Sequence, residues 1–132
     1  MKILFLDYGN VARSQIAAAF YNKYSPTPGL ALSAGVGVHS HEGESLSDEV
    51  INCMRKKKID LSRTRKKQVT PSMIRGSDRI IFMCSSEELP LFLKSNDKLE
   101  FWDLLDTKGQ DYEFHEKVRD DIEKRVLEFV GR

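Results

Sequence analysis

Residues 2–20 read KILFLDYGNVARSQIAAAF. The apolar run Lys2–Leu6 fits a strand buried on both faces. Beyond the loop DYGNVARS, Asp7 to Ser14, an alanine-rich stretch places Ile16, Ala17, Phe20 and Tyr24 on one helical face. The spacing predicts a helix from Ser14 to Tyr24. A strand, a short glycine-bearing loop and a helix start form a frame that turns backbone N–H groups toward an anion. Gly9 allows close approach or a positive φ. Asn10 can brace the loop through side-chain-to-backbone hydrogen bonds. Arg13 offers a planar two-pronged grip on a tetrahedral oxyanion. Ser14 either caps the helix or donates to residue 7. Tyr8, Val11 and Ala12 complete the expected phosphate-binding loop, with Tyr8 either at the mouth of the pocket or packed as a ring. Yet the head of this anion loop, Asp7, is itself an acid.

Outward from the loop, SPTPG (Ser25–Gly29) must end the first helix. Leu30–Ala34 reads as a second strand and Gly35–Glu44 as a loop. A helix is expected over Leu46–Lys57, with Val50, Cys53 and Met54 inward. Ile59–Lys67 is a basic connection, and Thr70–Ile74 one helical turn with Thr70 as cap and Pro71 at its first position. Arg79–Met83 is a buried strand, Ser86–Leu93 a short helix, and Leu99–Trp102 a last strand. A long helix follows over Tyr112–Val130, striped by Phe114, Val118, Ile122, Val126 and Phe129. Short apolar strands alternating with helices predict one three-layer α/β domain over residues 1–132, with a four-stranded parallel sheet. Ligands in such folds bind at the carboxyl ends of the strands. The loop, Cys84 and Asp103–Asp106 fall on that edge.

The chain has 132 residues and a formal net charge of +1. That near-neutral balance gives no electrostatic case for nucleic acid or membrane partners. No apolar run approaches a membrane span, and the first residues lack a signal-peptide pattern. A cytoplasmic chain is expected. Cys53 and Cys84 lack metal-like spacing, so neither a zinc site nor a disulfide framework is expected. Cys53 reads as core.

The loop resembles the signature of the low-molecular-weight protein tyrosine phosphatases and of the thioredoxin-coupled arsenate reductases that share their fold. That signature is a Cys, five residues, an Arg and a Ser or Thr, with Gly-Asn inside. Gly9, Asn10, Arg13 and Ser14 match it, and Gln15 is similar to some members. LSAG (Leu32–Gly35), LSDEVINCMRKKKIDLS (Leu46–Ser62), SDRIIFM (Ser77–Met83) and EFWDLLDTKG (Glu100–Gly109) resemble further family segments, so the likeness spans nearly the whole chain. It implies a phosphomonoester hydrolase working through a phosphocysteine, with no metal or cofactor. Loop amides and Arg13 would hold the phosphoryl group, Ser14 would steady the thiolate, and Asp106 would be the general acid.

The departure is at Asp7, where the family has its nucleophilic cysteine. A carboxylate and a phosphate dianion repel at close range, and the carboxylate can take the loop donors for itself. The chain as written is therefore expected to be inactive or strongly impaired, since losing a nucleophile costs on the order of 10⁴ to 10⁶ in rate. Thr107 stands where proline is usual, which implies a looser acid loop. Asp103 is the runner-up acid, or else a strand-end surface residue. Cys84 aligns roughly with a redox cysteine of the reductases, but the third cysteine is absent; it reads as a half-buried strand-end residue. His39 and His41 read as surface loop residues, His115 has no ligand pattern, and Arg63–Lys67 reads as a solvated run that attracts acidic substrates at most. The expected partners are a phosphorylated protein or small aryl phosphate, with phosphate or a similar oxyanion in the loop, on a monomer or weak dimer. The alternatives are a natural pseudophosphatase that binds an anion or a partner, and an arsenate reductase relative.

Overall fold

The computed structural model describes residues 1–27 and 30–131. Pro28 and Gly29, part of the expected SPTPG stop, lie outside the described residues. Four strands form one parallel sheet: β1 (Ile3–Asp7), β2 (Ala31–Gly35), β3 (Arg79–Phe82) and β4 (Leu99–Phe101). Their spatial order is β2-β1-β3-β4. The helices are α1 (Arg13–Tyr24), α2 (Asp48–Arg55), α3 (Pro71–Gly76) and α4 (Tyr112–Val130).

The unbroken apolar run of β1 is explained by its two covered faces. Ile3 and Phe5 join a core built with Ile16 and Phe20 of α1, Val50 and Met54 of α2, and Ile122 and Val126 of α4. Leu4 and Leu6 point the other way, into a second core with Ala34, Ile80, Phe82 and Leu93, against which Met73 and Ile74 of α3 pack. The three-layer architecture read from the sequence is thus present. Cys53 is fully buried in the first core, as expected. No described helix is long and apolar enough to cross a membrane.

Local chemistry fixes the element ends. Thr70 caps α3, its hydroxyl accepting from the Met73 N–H at 3.2 Å, with Pro71 in the first turn. Asp111 caps α4 through the Phe114 N–H at 2.9 Å. Helix α2 is shorter than the predicted Leu46–Lys57. It closes with Lys58 in the left-handed region (φ 62°), the Ile59 N–H reaching the Met54 carbonyl and the Lys58 N–H the Arg55 carbonyl. The helix expected over Ser86–Leu93 is replaced by two 3₁₀ turns, Ser86–Glu88 and Leu91–Leu93. Pro90 lies between them and cannot donate the N–H that a continuous helix needs.

All four strands run the same way, so Asp7, Gly35, Met83–Cys84 and the segment after Phe101 share one edge of the sheet.

Candidate active site

At that edge β1 delivers Asp7 into the base of the loop, where it is 2% exposed. Its carboxylate spans the turn: Oδ1 accepts the Asn10 N–H at 2.7 Å and Oδ2 the Ser14 N–H at 2.9 Å. Burial pushes this carboxyl above the usual range, against the lowering effects of the Ser14 amide, the Arg13 charge and the Asn10 amide. The backbone N–H groups of Gly9, Val11 and Ala12 meet no acceptor among the described residues. Asp7 therefore occupies part of the donor set and leaves the middle of the turn open.

Two expectations are corrected here. The positive φ falls on Asn10 (54°) rather than on Gly9. Asn is one of the few side-chain-bearing residues that tolerate this region, and its fixed side chain holds it there. Ser14 is not a cap: α1 begins at Arg13, Ala12 precedes it, and the side chain that takes an N–H of its first turn is the Asp7 carboxylate, at Ser14. The Ser14 hydroxyl takes the other role open to it, bonding to the Asp7 carboxylate, and accepts from Asn10 Nδ2 at 2.8 Å.

Arg13 is buried, and its Nη1 donates to the Met83 carbonyl at 3.0 Å and the Leu104 carbonyl at 3.1 Å. Those bonds aim the guanidinium. Nε and Nη2 make no hydrogen bond within the described chain; Nη2 has Asp106 Oδ2 at 4.0 Å. The free edge is the one that grips an oxyanion in two-pronged fashion.

Asp106 thus lies beside the loop, but its side chain is 63% exposed. Its Oδ1 accepts the Lys108 N–H. Thr107, in the usual proline position, is buried and anchors the turn, with its carbonyl accepting the Gln110 N–H. Asp103 is exposed and lines a cleft of about 230 Å³ against α4.

Cys84 is more deeply placed than the half-buried position expected of it: it is almost wholly buried. Burial pushes its thiol up to about 12; Arg13 opposes this, and Asp7 and Glu88 add to it. Tyr8 packs as a ring, one of its two expected roles. Its ring is 54% exposed at the rim and rests on Gly37, where a Cβ would fall 2.4 Å from Tyr8 Cζ. His39 and His41 form an exposed 3₁₀ turn, with His41 Nδ1 3.0 Å from Glu44. His115 is buried on α4.

The basic run had a role that its composition hid. The backbone of Arg65–Gln68 forms a wall behind the loop. Asn10 Oδ1 accepts the Lys67 N–H at 2.8 Å and Gln15 Nε2 at 2.8 Å, and Gln15 Nε2 also reaches the Arg65 carbonyl at 3.2 Å. The Lys67 carbonyl takes the Gly35 N–H. Gln68 continues the wall, its Oε1 accepting the N–H groups of Val38 and His39. Gln15 carried only a family likeness in the sequence; its spacing of five from Asn10 was the available signal. Among the described residues no group of three or more His, Cys, Asp or Glu side chains is placed to hold a metal.

Comparison with known proteins agrees with this architecture. Residues 2–132 match the family described as "Low molecular weight phosphotyrosine protein phosphatase". The chain is 29% identical to Arsenate reductase 1 of Staphylococcus haemolyticus over 96% of this chain and 92% of that protein. It superposes on the low molecular weight protein tyrosine phosphatase from T. tengcongensis with a TM-score of 0.89 at 25% identity, covering 99% and 98% of the two chains. On the YwlE arginine phosphatase from Geobacillus stearothermophilus the TM-score is 0.85 at 26% identity, covering 98% and 90%. With the match spanning all but the first residue, the chain belongs to the low molecular weight phosphotyrosine protein phosphatase family.

Proposed function

We propose that residues 7–14 form an oxyanion receptor on a phosphatase scaffold whose covalent step is disabled. The observation that carries this reading is the Asp7 carboxylate at the nucleophile position, tied to the Asn10 and Ser14 amides while the Gly9, Val11 and Ala12 amides remain open. A carboxylate held this way is a far poorer nucleophile toward a phosphate ester than a thiolate, and among the described residues no His, Cys, Asp or Glu cluster is placed to hold a metal that would screen the charges. The ligand would be held by the open amides, the positive end of α1 and the free edge of Arg13. With a cysteine at position 7 the same residues support hydrolysis. The thiolate attacks phosphorus, the amides and Arg13 hold the equatorial oxygens, Ser14 Oγ steadies the departing thiolate, and Asp106 protonates the leaving oxygen before activating water.

The relatives named arsenate reductases favour arsenate as a second ligand of the same tetrahedral shape. Reduction itself draws on thiols. This site offers only Cys84, whose thiol stays protonated up to about 12.

Hydrolysis of a small aryl phosphate, metal-free, by this chain and by Asp7→Cys tests the proposal. Activity is expected with cysteine alone, by a factor on the order of 10⁴ or more. Silence from both variants, or equal activity in both, overturns it.

A further inference from the structure

We infer that Asp7 makes this loop selective for tetrahedral oxyanions that carry their own proton, inorganic hydrogen phosphate or hydrogen arsenate, over those that carry none. The inference rests on the oxyanion-receptor reading above. An ionised carboxylate has acceptor sites only, about four of them. In Asp7 the Asn10 and Ser14 N–H groups fill one on each oxygen, the Ser14 hydroxyl takes a third, and the remaining one faces the ligand. The donors left for a ligand are the amides of Gly9, Val11 and Ala12 and the Nε and Nη2 edge of Arg13. They belong to the same short turn whose residues 10 and 14 already clasp Asp7. An oxyanion seated on them presents one oxygen to the carboxylate.

Two bare oxygens at that contact repel in a buried setting with little screening. A hydrogen between them turns repulsion into a charge-assisted hydrogen bond. Inorganic phosphate and arsenate carry that hydrogen near neutral pH. Sulfate does not, and the dianion of an aryl phosphate monoester does not until it is protonated at mildly acid pH. The proton at this contact is the ligand's, donated to an Asp7 oxygen that already accepts a backbone N–H group. The other charged or titratable groups facing this point are Arg13 from α1, Cys84 and Glu88 from the segment after β3, and Asp106 from the segment after β4. Arg13 is the cation whose charge acts on Asp7, and Lys67 lies behind the loop, with its N–H on Asn10 and its Nζ toward the Arg65 carbonyl.

Calorimetric titration at pH 7.5 with inorganic phosphate, arsenate, sulfate and phenyl phosphate, on the chain and on Asp7→Asn, reads this directly. Phosphate and arsenate should bind about a hundredfold more tightly than sulfate. Phenyl phosphate should side with sulfate at pH 7.5 and with inorganic phosphate at pH 5.5. In Asp7→Asn, whose amide can donate to a bare oxygen, the gap between phosphate and sulfate should shrink to a few-fold. Equal binding of phosphate and sulfate by the unsubstituted chain refutes the proton requirement and leaves the oxyanion receptor standing. A gap that survives in Asp7→Asn assigns the selectivity to other residues and also refutes it. No binding of any ligand to either chain, with both folded by circular dichroism, overturns the receptor reading itself.

Discussion

Asn10 combines a left-handed backbone (φ 54°) with a fully buried side chain that binds Ser14, Gln15 and the Lys67 amide. Removing that side chain leaves buried donors without partners and places a β-carbon residue in a region it avoids. Asn10→Ala should cost about 3 kcal/mol, and Asn10→Gly about 1 kcal/mol less, because glycine accepts the backbone angle. Urea denaturation of the three chains checks this. Equal losses in both variants would show that the backbone angle stores no strain. At this scale the sequence already named Asn10 as the brace of the loop, because Asn is chemically suited to local backbone bonds. It did not name the partner: Lys67 is 57 positions away, and only folding brings it within reach.

The C-terminal end of β2 decides how tightly the loop can be walled. A Cβ on Gly35 would lie 2.5 Å from the Tyr8 carbonyl oxygen and 2.9 Å from the Asn10 nitrogen, both backbone. The atoms nearest a Cβ on Gly37 are those of the Tyr8 ring, a side chain that is half exposed. Gly35→Ala should therefore lose about 3 kcal/mol and most phosphate binding, whereas Gly37→Ala should lose about 1 kcal/mol or less. Thermal unfolding with and without phosphate distinguishes them; similar behaviour of the two variants would contradict the wall. Elements with strong local signals were legible in advance. The ends of α4 match the expectation, because Asp111 caps it and a long apolar stripe sustains it. The Ser86–Leu93 segment forms two 3₁₀ turns in place of the expected helix, because Pro90 lacks the N–H that a continuous helix needs.

For the whole molecule, the raised carboxyl of Asp7 links folding to pH. The folded chain holds this proton at pH values where the unfolded chain, with its ordinary carboxyl, has released it. The contribution of Asp7 to stability is then fully present below the unfolded value of 3.8 and is lost as pH rises through the folded value. The stability of the chain minus that of Asp7→Asn should climb as pH falls from neutral toward 4; a flat difference in urea midpoints would rule out the shift. Alternating short apolar strands and helices, the two-faced burial of β1, the family and the identity of the loop residues were all determined by the sequence alone. Each rests on residue types and spacings that act locally or along one element. The tertiary structure alone decided that Asp7 takes two amides of its own loop and that Arg13 is aimed by the carbonyls of Met83 and Leu104. It alone decided that a basic run serves as a wall and that Asp106 stays in water. The physical reason is that these depend on which distant groups share a buried space, and on how much solvent reaches them, quantities that exist only once the chain has packed.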